Sequence, residues 1–498
     1  MNLPYLAGLP PEIAILALIP GLLVIVVVAA AVRQIPTMTR LAAVTMWLQL
    51  ALVISICTPQ LGRTTDRSVV VYGFSIDRLA AILLVLTTLV AAASLTHAVG
   101  FFDRELDGPH APRRQHVSQF YIYLPLFVLA MYGVLTAQNL GYLWISMEAT
   151  TLLSAPLVYY HRSRTSLEAT WKYLIICSVG IAFAFFGTAI IYSASQHVPG
   201  LPSGSLLLPV LQSHASQLPK GLLRLGFVFI LLGYGTKAGL FPLHHWLPDA
   251  HSEAPAPASA LLSGALLNCA LVAIWRTREL MGAAGEGRLV EQTLLPMALA
   301  TVLAASLFLV RQRDLKRMLA YSSMENVGVM ATAIAFGSGS GFLLQAINHS
   351  LVKVALFLLA GNLIQMYGSK SLKSIHGALN LYPIQGVCLL AGIIAVAGTP
   401  PFGSFLSEWI VLSTAADSGH AASVALLTLG LVIAFVALAV QAGGMLFGEN
   451  SRSLSELPNG RRSLVSLTLV PGILLLLSLW LGVALSPTLM ELARGIVL

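Results

Sequence analysis

Four ionisable side chains stand inside stretches where apolar residues otherwise run unbroken. Glu148 is central in LGYLWISMEATTLLSAPLVYY, and Lys237 directly follows FVFILLGYGT. Lys353 is central in GFLLQAINHSLVKVALFLLAGN, and Glu408 closes TPPFGSFLSE. A charge at membrane depth costs several kcal/mol unless it is paired or hydrated, so such residues mark ion or proton pathways more often than structural glue. Two carboxylates and two amines in one chain can hold a proton, hand it on and gate it electrostatically. That is the chemistry to test first.

Secondary candidates lie around them. His349 is one turn before Lys353 on a shared helix face, and His244, His245 and His251 flank the Lys237 segment. Imidazole titrates near neutrality and suits proton transfer. Glu325, Asn268 and Lys172 fall in neighbouring apolar runs. Lys172 is the weakest member, because its position near a helix start allows its amine to snorkel to the interface. No three histidines are spaced as metal ligands. The four cysteines are scattered singly, so neither a metal site nor an iron–sulfur ligand set is expected.

Two of the charges adjoin proline clusters. Lys237 precedes Pro242 and Pro248 in GTKAGLFPLHHWLPDAHSEAPAP; Pro400 and Pro401 precede Glu408 in AGTPPFGSFLSEW. Proline removes a backbone donor and clashes with the preceding turn, so both segments are expected to be broken helices. Irregular backbone is tolerated at membrane depth where it lines a hydrated cavity, and paired breaks in two halves of a chain mark transport sites.

The elements that must carry these groups follow from composition. Of 498 residues, 57% are hydrophobic and only 10% charged, against roughly 25% charged in an average soluble domain. Apolar runs long enough to cross a hydrocarbon core recur along the whole chain. The expected fold is an all-α polytopic membrane protein with about fourteen transmembrane helices. No phosphate-cradling or dinucleotide motif is present, and no connection is long enough for a cofactor domain, so a nucleotide enzyme and a nucleic-acid binder are excluded. Lys and Arg concentrate in the loops after odd-numbered runs, which predicts both termini on the exterior side.

The charges also suggest an internal repeat. In one set of five helices Glu148 lies in the second, Lys172 in the third and Lys237 in the broken fourth. In the next five, Glu325, Lys353 and Glu408 hold the same places. Five crossings are an odd number, so consecutive copies must be inverted. The expected organisation is three N-terminal helices over 1–119, a first repeat over 120–276, a second over 293–447 and a final helix over 464–498.

At these motifs the sequence resembles the antiporter-like, proton-translocating membrane subunits of respiratory complex I, Mrp-type antiporters and membrane-bound hydrogenases. The carriers are GYGTKAGLFPLHHWLPDAHSEAPAPASALLSGALLN, LKRMLAYSSMENVG, NHSLVKVALFLLAGN and GTPPFGSFLSEW. Among the branches, the second half of the first motif and YSSMEN look most like hydrogenase-4 component F. The resemblance implies fourteen helices, two inverted five-helix repeats and both termini outside. It also implies proton-handling roles for Glu148, Lys172, Lys237, His349, Lys353 and Glu408. Two positions depart from many members. Asn268 stands where an eighth-helix lysine is common, and Asn326 where a tenth-helix histidine is. Asn268 can hydrogen-bond a water wire but cannot hold the proton.

The function expected is a proton-translocating subunit of a redox-driven, hydrogenase-4-like complex in a prokaryotic plasma membrane. It would bind no cofactor and work with other membrane subunits and a soluble or peripheral catalytic subunit. The rivals are a cation/proton antiporter subunit, the membrane partner of an inorganic-carbon uptake complex, and a scaffold that pumps nothing.

Overall fold

Inside lipid a backbone must satisfy its own polar groups, and apolar runs therefore fold as helices. The computed structural model describes residues 11–61, 69–106, 113–201, 203–447 and 461–484. The expected positions of both termini fall outside the described residues. Sixteen principal helices follow in chain order: α1 (Pro20–Ala31), α2 (Ile35–Leu61), α3 (Arg78–Leu106), α4 (Arg114–Thr136), α5 (Leu140–Val158), α6 (Arg164–Ser195), α7 (Lys220–Ala238) and α8 (Trp246–Glu253). Then come α9 (Ala256–Ala283), α10 (Gly287–Val310), α11 (Leu315–Ala335), α12 (Gly339–Tyr367), α13 (Pro383–Val396), α14 (Gly403–Asp417), α15 (Ala421–Phe447) and α16 (Arg461–Val483). Among the described residues the only β-structure is four isolated bridges.

Ten helices among the described residues are long and apolar enough to cross a membrane. They are α2–α4, α6, α7, α9, α10, α12, α15 and the stretch Glu12–Ala31 that contains α1. This is a multi-pass membrane protein. The helices α5 and α11, which carry Glu148 and Glu325, are not among the ten. At the centre are α9, whose best apolar window is 100% buried by protein, and α12, at 94%; the window in Glu12–Ala31 is only 22% buried and forms the rim. Residues Leu262–Leu266 of α9 are π-helical, and they pack on α12 and α3.

Both proline clusters interrupt their helices. Helix α7 stops at Ala238, capped by Gly239 at φ 81°; α13 stops at Val396, and Gly398 turns the chain at φ 64°. These left-handed conformations favour glycine, which has no Cβ to clash. The carbonyl of Thr236, near the end of α7, accepts a bond from Trp246 Nε1 at 2.9 Å, and Phe241 N donates to Thr301 Oγ1 at 2.9 Å. Side chains thus replace the helix ladder across the first break. Pro248 is not part of it: it lies in the first turn of α8, where a missing N–H costs no helix bond.

A pair of backbone contacts occurs twice. At the start of α5, Leu140 N donates to Leu206 O (3.0 Å) and Leu208 N to Gln138 O (2.8 Å). At the start of α11, Leu315 N donates to Lys370 O (2.9 Å) and Leu372 N to Arg313 O (2.9 Å). Each helix is capped by a side chain in the same bridge: Asn139 accepts from Gly141 N and Tyr142 N, and Asp314 from Arg317 N.

Candidate functional site

Lys237 reaches its position through close helix packing. Helices α6 and α7 meet on small residues; a Cβ on Gly233 would lie 2.6 Å from Ala184 N, and one on Gly187 2.5 Å from Gly226 O. This approach brings Tyr173 of α6 to the last turn of α7. Lys237 is fully buried there, at the helix C-terminus, where the dipole favours a cation. Its Nζ donates to Thr151 Oγ1 (2.9 Å) and Tyr173 OH (2.8 Å) and lies 4.9 Å from the Tyr173 ring centroid. With its oxygen engaged by the ammonium, Tyr173 can direct its own proton to Ser154 Oγ at 2.7 Å, and Ser154 in turn donates to Thr150 O at 2.6 Å. The result is a directional chain of hydroxyls that starts at the lysine and ends on the Thr150 carbonyl.

Glu148 sits on α5 one turn from Thr151 but is not ion-paired with Lys237 among the described residues. Its Oε1 accepts from Ser178 Oγ at 3.0 Å, and its Oε2 has no protein partner. It is half-buried, near a lateral face formed by Ile145, Leu152 and Ile175. Glu148 and Lys237 are therefore separate stations, each with its own hydroxyl partners.

The axis beyond is built on α9, α11 and α12. Asn268 Nδ2 donates to Ser350 Oγ (2.8 Å) and to Gly264 O (3.2 Å) in the π-helical segment, and Ser350 Oγ donates to Gly264 O at 2.6 Å. His349 Nε2 approaches Ser263 O at 3.3 Å, leaving Nδ1 without a protein partner. Ser263 and Ser323 hydroxyls meet at 2.8 Å. Lys353 is fully buried, and its Nζ donates to Leu319 O at 3.1 Å. The fourth-residue spacing of Gln345, His349 and Lys353 puts all three on one face of α12.

Beyond Lys353 the groups are joined by amides. Glu325 Oε2 accepts from Asn326 Nδ2 (2.7 Å), Asn326 Oδ1 accepts from Gln345 Nε2 (2.8 Å), and Gln345 Oε1 accepts from Ser407 Oγ. Glu408 is the neighbour of Ser407, buried in the second turn of α14 with the Gln345 amide beside it. Its carboxylate fills the space over Gly398, where any Cβ would collide with it. Pro400 and Pro401 lie exposed at the outer edge of this break, as Pro242 does at the first.

Not every expected residue joins this row. Lys172 is 46% exposed and pairs with Glu168 and with Asp249 (3.2 Å), which also binds Arg317. It belongs to a surface ion cluster. His245 is exposed, whereas His244 and His251 are buried, with their ring nitrogens lacking protein partners. Thr151, Tyr173, Ser154, Gln345 and Ser407 were not singled out from sequence. Hydroxyl and amide residues in apolar helices carry no signal until a buried lysine or carboxylate is found beside them.

Residues 137–434 match the model of the family described as NADH:quinone oxidoreductase/Mrp antiporter, transmembrane. A hydrogenase-4 component F homolog of Methylacidiphilum infernorum is 37% identical over 384 residues, 76% of this chain and 79% of that protein. Subunit N of the NADH-quinone oxidoreductase of Desulforudis audaxviator is 31% identical over 365 residues, covering 72% and 70%. The fold matches a chain of the membrane-bound sulfane sulfur reductase, an archaeal respiratory membrane complex, with TM-score 0.85 at 23% identity over 98% of this chain and 96% of that one. The chain belongs to the NADH:quinone oxidoreductase/Mrp antiporter family and is an antiporter-like membrane subunit.

Proposed function

From that membership we propose that the chain translocates protons as a membrane subunit of a redox-driven complex of the hydrogenase-4 type. One observation carries the reading: two fully buried lysines, Lys237 and Lys353, have no carboxylate within ion-pair reach among the described residues and are held by hydroxyl and carbonyl oxygens. A structural lysine would be paired, because an uncompensated buried charge is costly. A lysine that must gain and lose a proton is served by neutral partners that can bond either form.

In this reading Glu148, Lys237, His349, Lys353 and Glu408 hold protons in turn. Asn268, Glu325 and the hydroxyls of Tyr173 and Ser350 relay or orient them, and Lys172 tunes the field at the interface. Electron transfer in a partner changes the field at one end of the row, and each station responds to the charge of the next. The chain itself would hold no cofactor. A sodium site needs several hard oxygen ligands, and an ammonium in the same row repels the ion, which favours protons over the Mrp-type alternative.

The architecture proposed with this function has fourteen spans: the ten apolar helices, the two acid-bearing helices α5 and α11, the broken pair α13–α14, and α16. Helices α4–α9 and α10–α15 would be inverted repeats. The duplicated backbone contacts before α5 and α11 support this, as does the same spacing from a left-handed glycine to a proline in Gly239–Pro242 and Gly398–Pro401. Both termini would face the exterior, with other membrane subunits on the lateral faces and a peripheral catalytic subunit supplying the driving reaction.

The test is acidification of everted vesicles containing the chain with its co-purifying partners, energised in turn by hydrogen and by NADH and read with a pH-sensitive dye. Donor-dependent acidification that Lys353→Met abolishes at an unchanged assembled level is the expected result. Acidification indifferent to Lys353→Met removes the proposal, and activity that needs Na⁺ and persists with a protonophore present redirects it to cation exchange.

A further inference from the structure

Away from the polar row, three helix ends enclose a cavity that proton transfer does not use. Helix α4 starts there, α5 ends there and α6 starts beside it. The cavity holds about 160 Å³ and is lined by His116, Gln119 and Arg162 together with Tyr123, Tyr159 and Tyr160. Arg162 stands in the turn between α5 and α6 at φ 51°, a left-handed conformation that favours glycine. Its guanidinium donates to Gln119 Oε1 at 2.7 Å. Strain of this kind persists where the surroundings fix it, and here it holds a cation at the wall of an enclosed site.

The unspent groups of the cavity can all donate. Gln119 has its oxygen engaged by Arg162 and its NH₂ still to offer. Among the described residues the His116 ring and the hydroxyls of Tyr123 and Tyr159 make no hydrogen bond to protein. Tyr160 donates to Glu105 at 3.2 Å, but Glu105 faces His161 and does not line the cavity, nor does any other carboxylate among the described residues. Arg113, Arg114 and Arg164 are exposed at the same helix ends, and among the described residues neither they nor Arg162 has an acid within ion-pair reach. The positive ends of α4 and α6 point the same way, and Arg113 gives α4 no side-chain cap. Arginines that only fix orientation need to be in a loop; they need neither an enclosed site nor an anchored guanidinium.

Such a site fits an anion with several acceptor oxygens, and its surroundings say which. Pro156 lines the cavity from the last turn of α5, and Leu152, one turn deeper on the same face, is 57% exposed. An apolar track therefore leads from the cavity down the lateral surface. Free phosphate has no use for that track, whereas a lipid has. A zwitterionic headgroup would bring its ammonium among the arginines with no carboxylate to receive it. We propose that this cavity binds the headgroup phosphate of one anionic phospholipid, as basic pockets at membrane-helix ends do. Arg162 and His116 donate to the phosphate oxygens, the tyrosines bond the glycerol oxygens, and the acyl chains lie along α5. The assignment holds whether or not the chain moves protons.

The test places the complex, with its co-purifying partners, in phosphatidylcholine nanodiscs. These contain a small fraction of phosphatidylglycerol or of phosphatidylcholine, each carrying the same photoreactive group at the top of one acyl chain. Labelled peptides are mapped by mass spectrometry. The phosphatidylglycerol probe should label residues 113–123 and 152–164 several-fold more than its zwitterionic counterpart, a comparison that needs no variant. Arg162→Gly suits the left-handed turn and removes the cation, so assembly is kept while phosphatidylglycerol labelling falls roughly fivefold and phosphatidylcholine labelling does not change. Equal labelling by the two probes, no labelling of these segments, or undiminished labelling of Arg162→Gly overturns the lipid site. Displacement of the probe by millimolar inorganic phosphate also overturns it, and makes the cavity a site for the free anion.

Discussion

The two halves of the polar row solve the same problem with different chemistry. Around Lys237 the partners are hydroxyls, each able to donate or accept after a simple rotation, and Glu148 stands apart near a lateral face. Around Glu325 and Glu408 the partners are amides, fixed in direction by their neighbours and fully enclosed. A hydroxyl relay can reverse direction as a proton passes. An amide cannot, so it holds a carboxylate in place and lets the charge nearby decide its state. In the proposed proton row, the first half would conduct and the second would hold.

The largest expected effect tests whether both halves lie on one path. Lys237→Met and Lys353→Met should each reduce donor-driven proton uptake to the background of vesicles without the complex, while assembly measured on native gels is unchanged. A half that tolerates its lysine's loss is not on the path. Next comes the coupling of Glu148 to Lys237. Glu148→Gln and Lys237→Met should be strongly non-additive in flux, the double variant scarcely worse than either single one. Simple addition would assign the two charges to separate roles.

The distinction between conducting and holding is sharpened by removing one neutral group from each side. Tyr173→Phe deletes a hydroxyl from the lysine and should cut flux several-fold with little change in melting temperature. Gln345→Leu leaves Asn326 Oδ1 without its donor in the interior, while Ser407 Oγ keeps Ser404 O at 2.9 Å; the loss costs about 1–3 kcal/mol and should lower the melting temperature more than it lowers flux. The reverse pattern would overturn the contrast between the halves.

The smallest effect lies at the membrane surface. Glu286, just before α10, accepts from Arg224 at 2.8 and 3.0 Å, and this bond holds its carboxyl below its ordinary value of 4.5, with Lys220 adding to it. A depressed acid contributes stability above its unfolded pKa, and loses it as the pH falls through the lower folded value. Glu286→Gln should therefore lower the melting temperature slightly at neutral pH, with the difference vanishing in strong acid and shrinking in high salt.

Much of this was legible in the sequence because charge inside an apolar run is so improbable. Lys237, Lys353, Glu325 and Glu408 are buried as expected, and both helix breaks lie beside the charges that announced them. Lys172 shows where that signal weakens: a lysine in the third turn of a helix can still turn its amine to the surface, and it does. Glu148 and Lys237 share a region but not a bond, since helix faces are readable from spacing and distances across a groove are not. The contact of His97 Nε2 with Asn362 Oδ1 at 2.8 Å was invisible for a simpler reason: the two residues lie on different helices 265 positions apart, and each alone reads as a tolerated polar residue in an apolar run.

The enclosure of α9 and α12 bears on how the chain is made. Neither helix has an appreciable lipid-facing surface once the protein is complete, yet each must enter the bilayer before its later neighbours have been synthesised. For α12 that means carrying Lys353 into hydrocarbon, a step that costs about 2.5–3.5 kcal/mol at the centre of a nascent helix. Its 29 residues and mean hydropathy of 1.7 offset this, and the earlier helices α9 and α11 offer Leu319 O and the serine hydroxyls as shelter on arrival. Biogenesis thus places a demand on the second half that turnover does not. The lysine has to be accommodated by a partly built protein, and the order of helices along the chain supplies its oxygen acceptor before the lysine emerges.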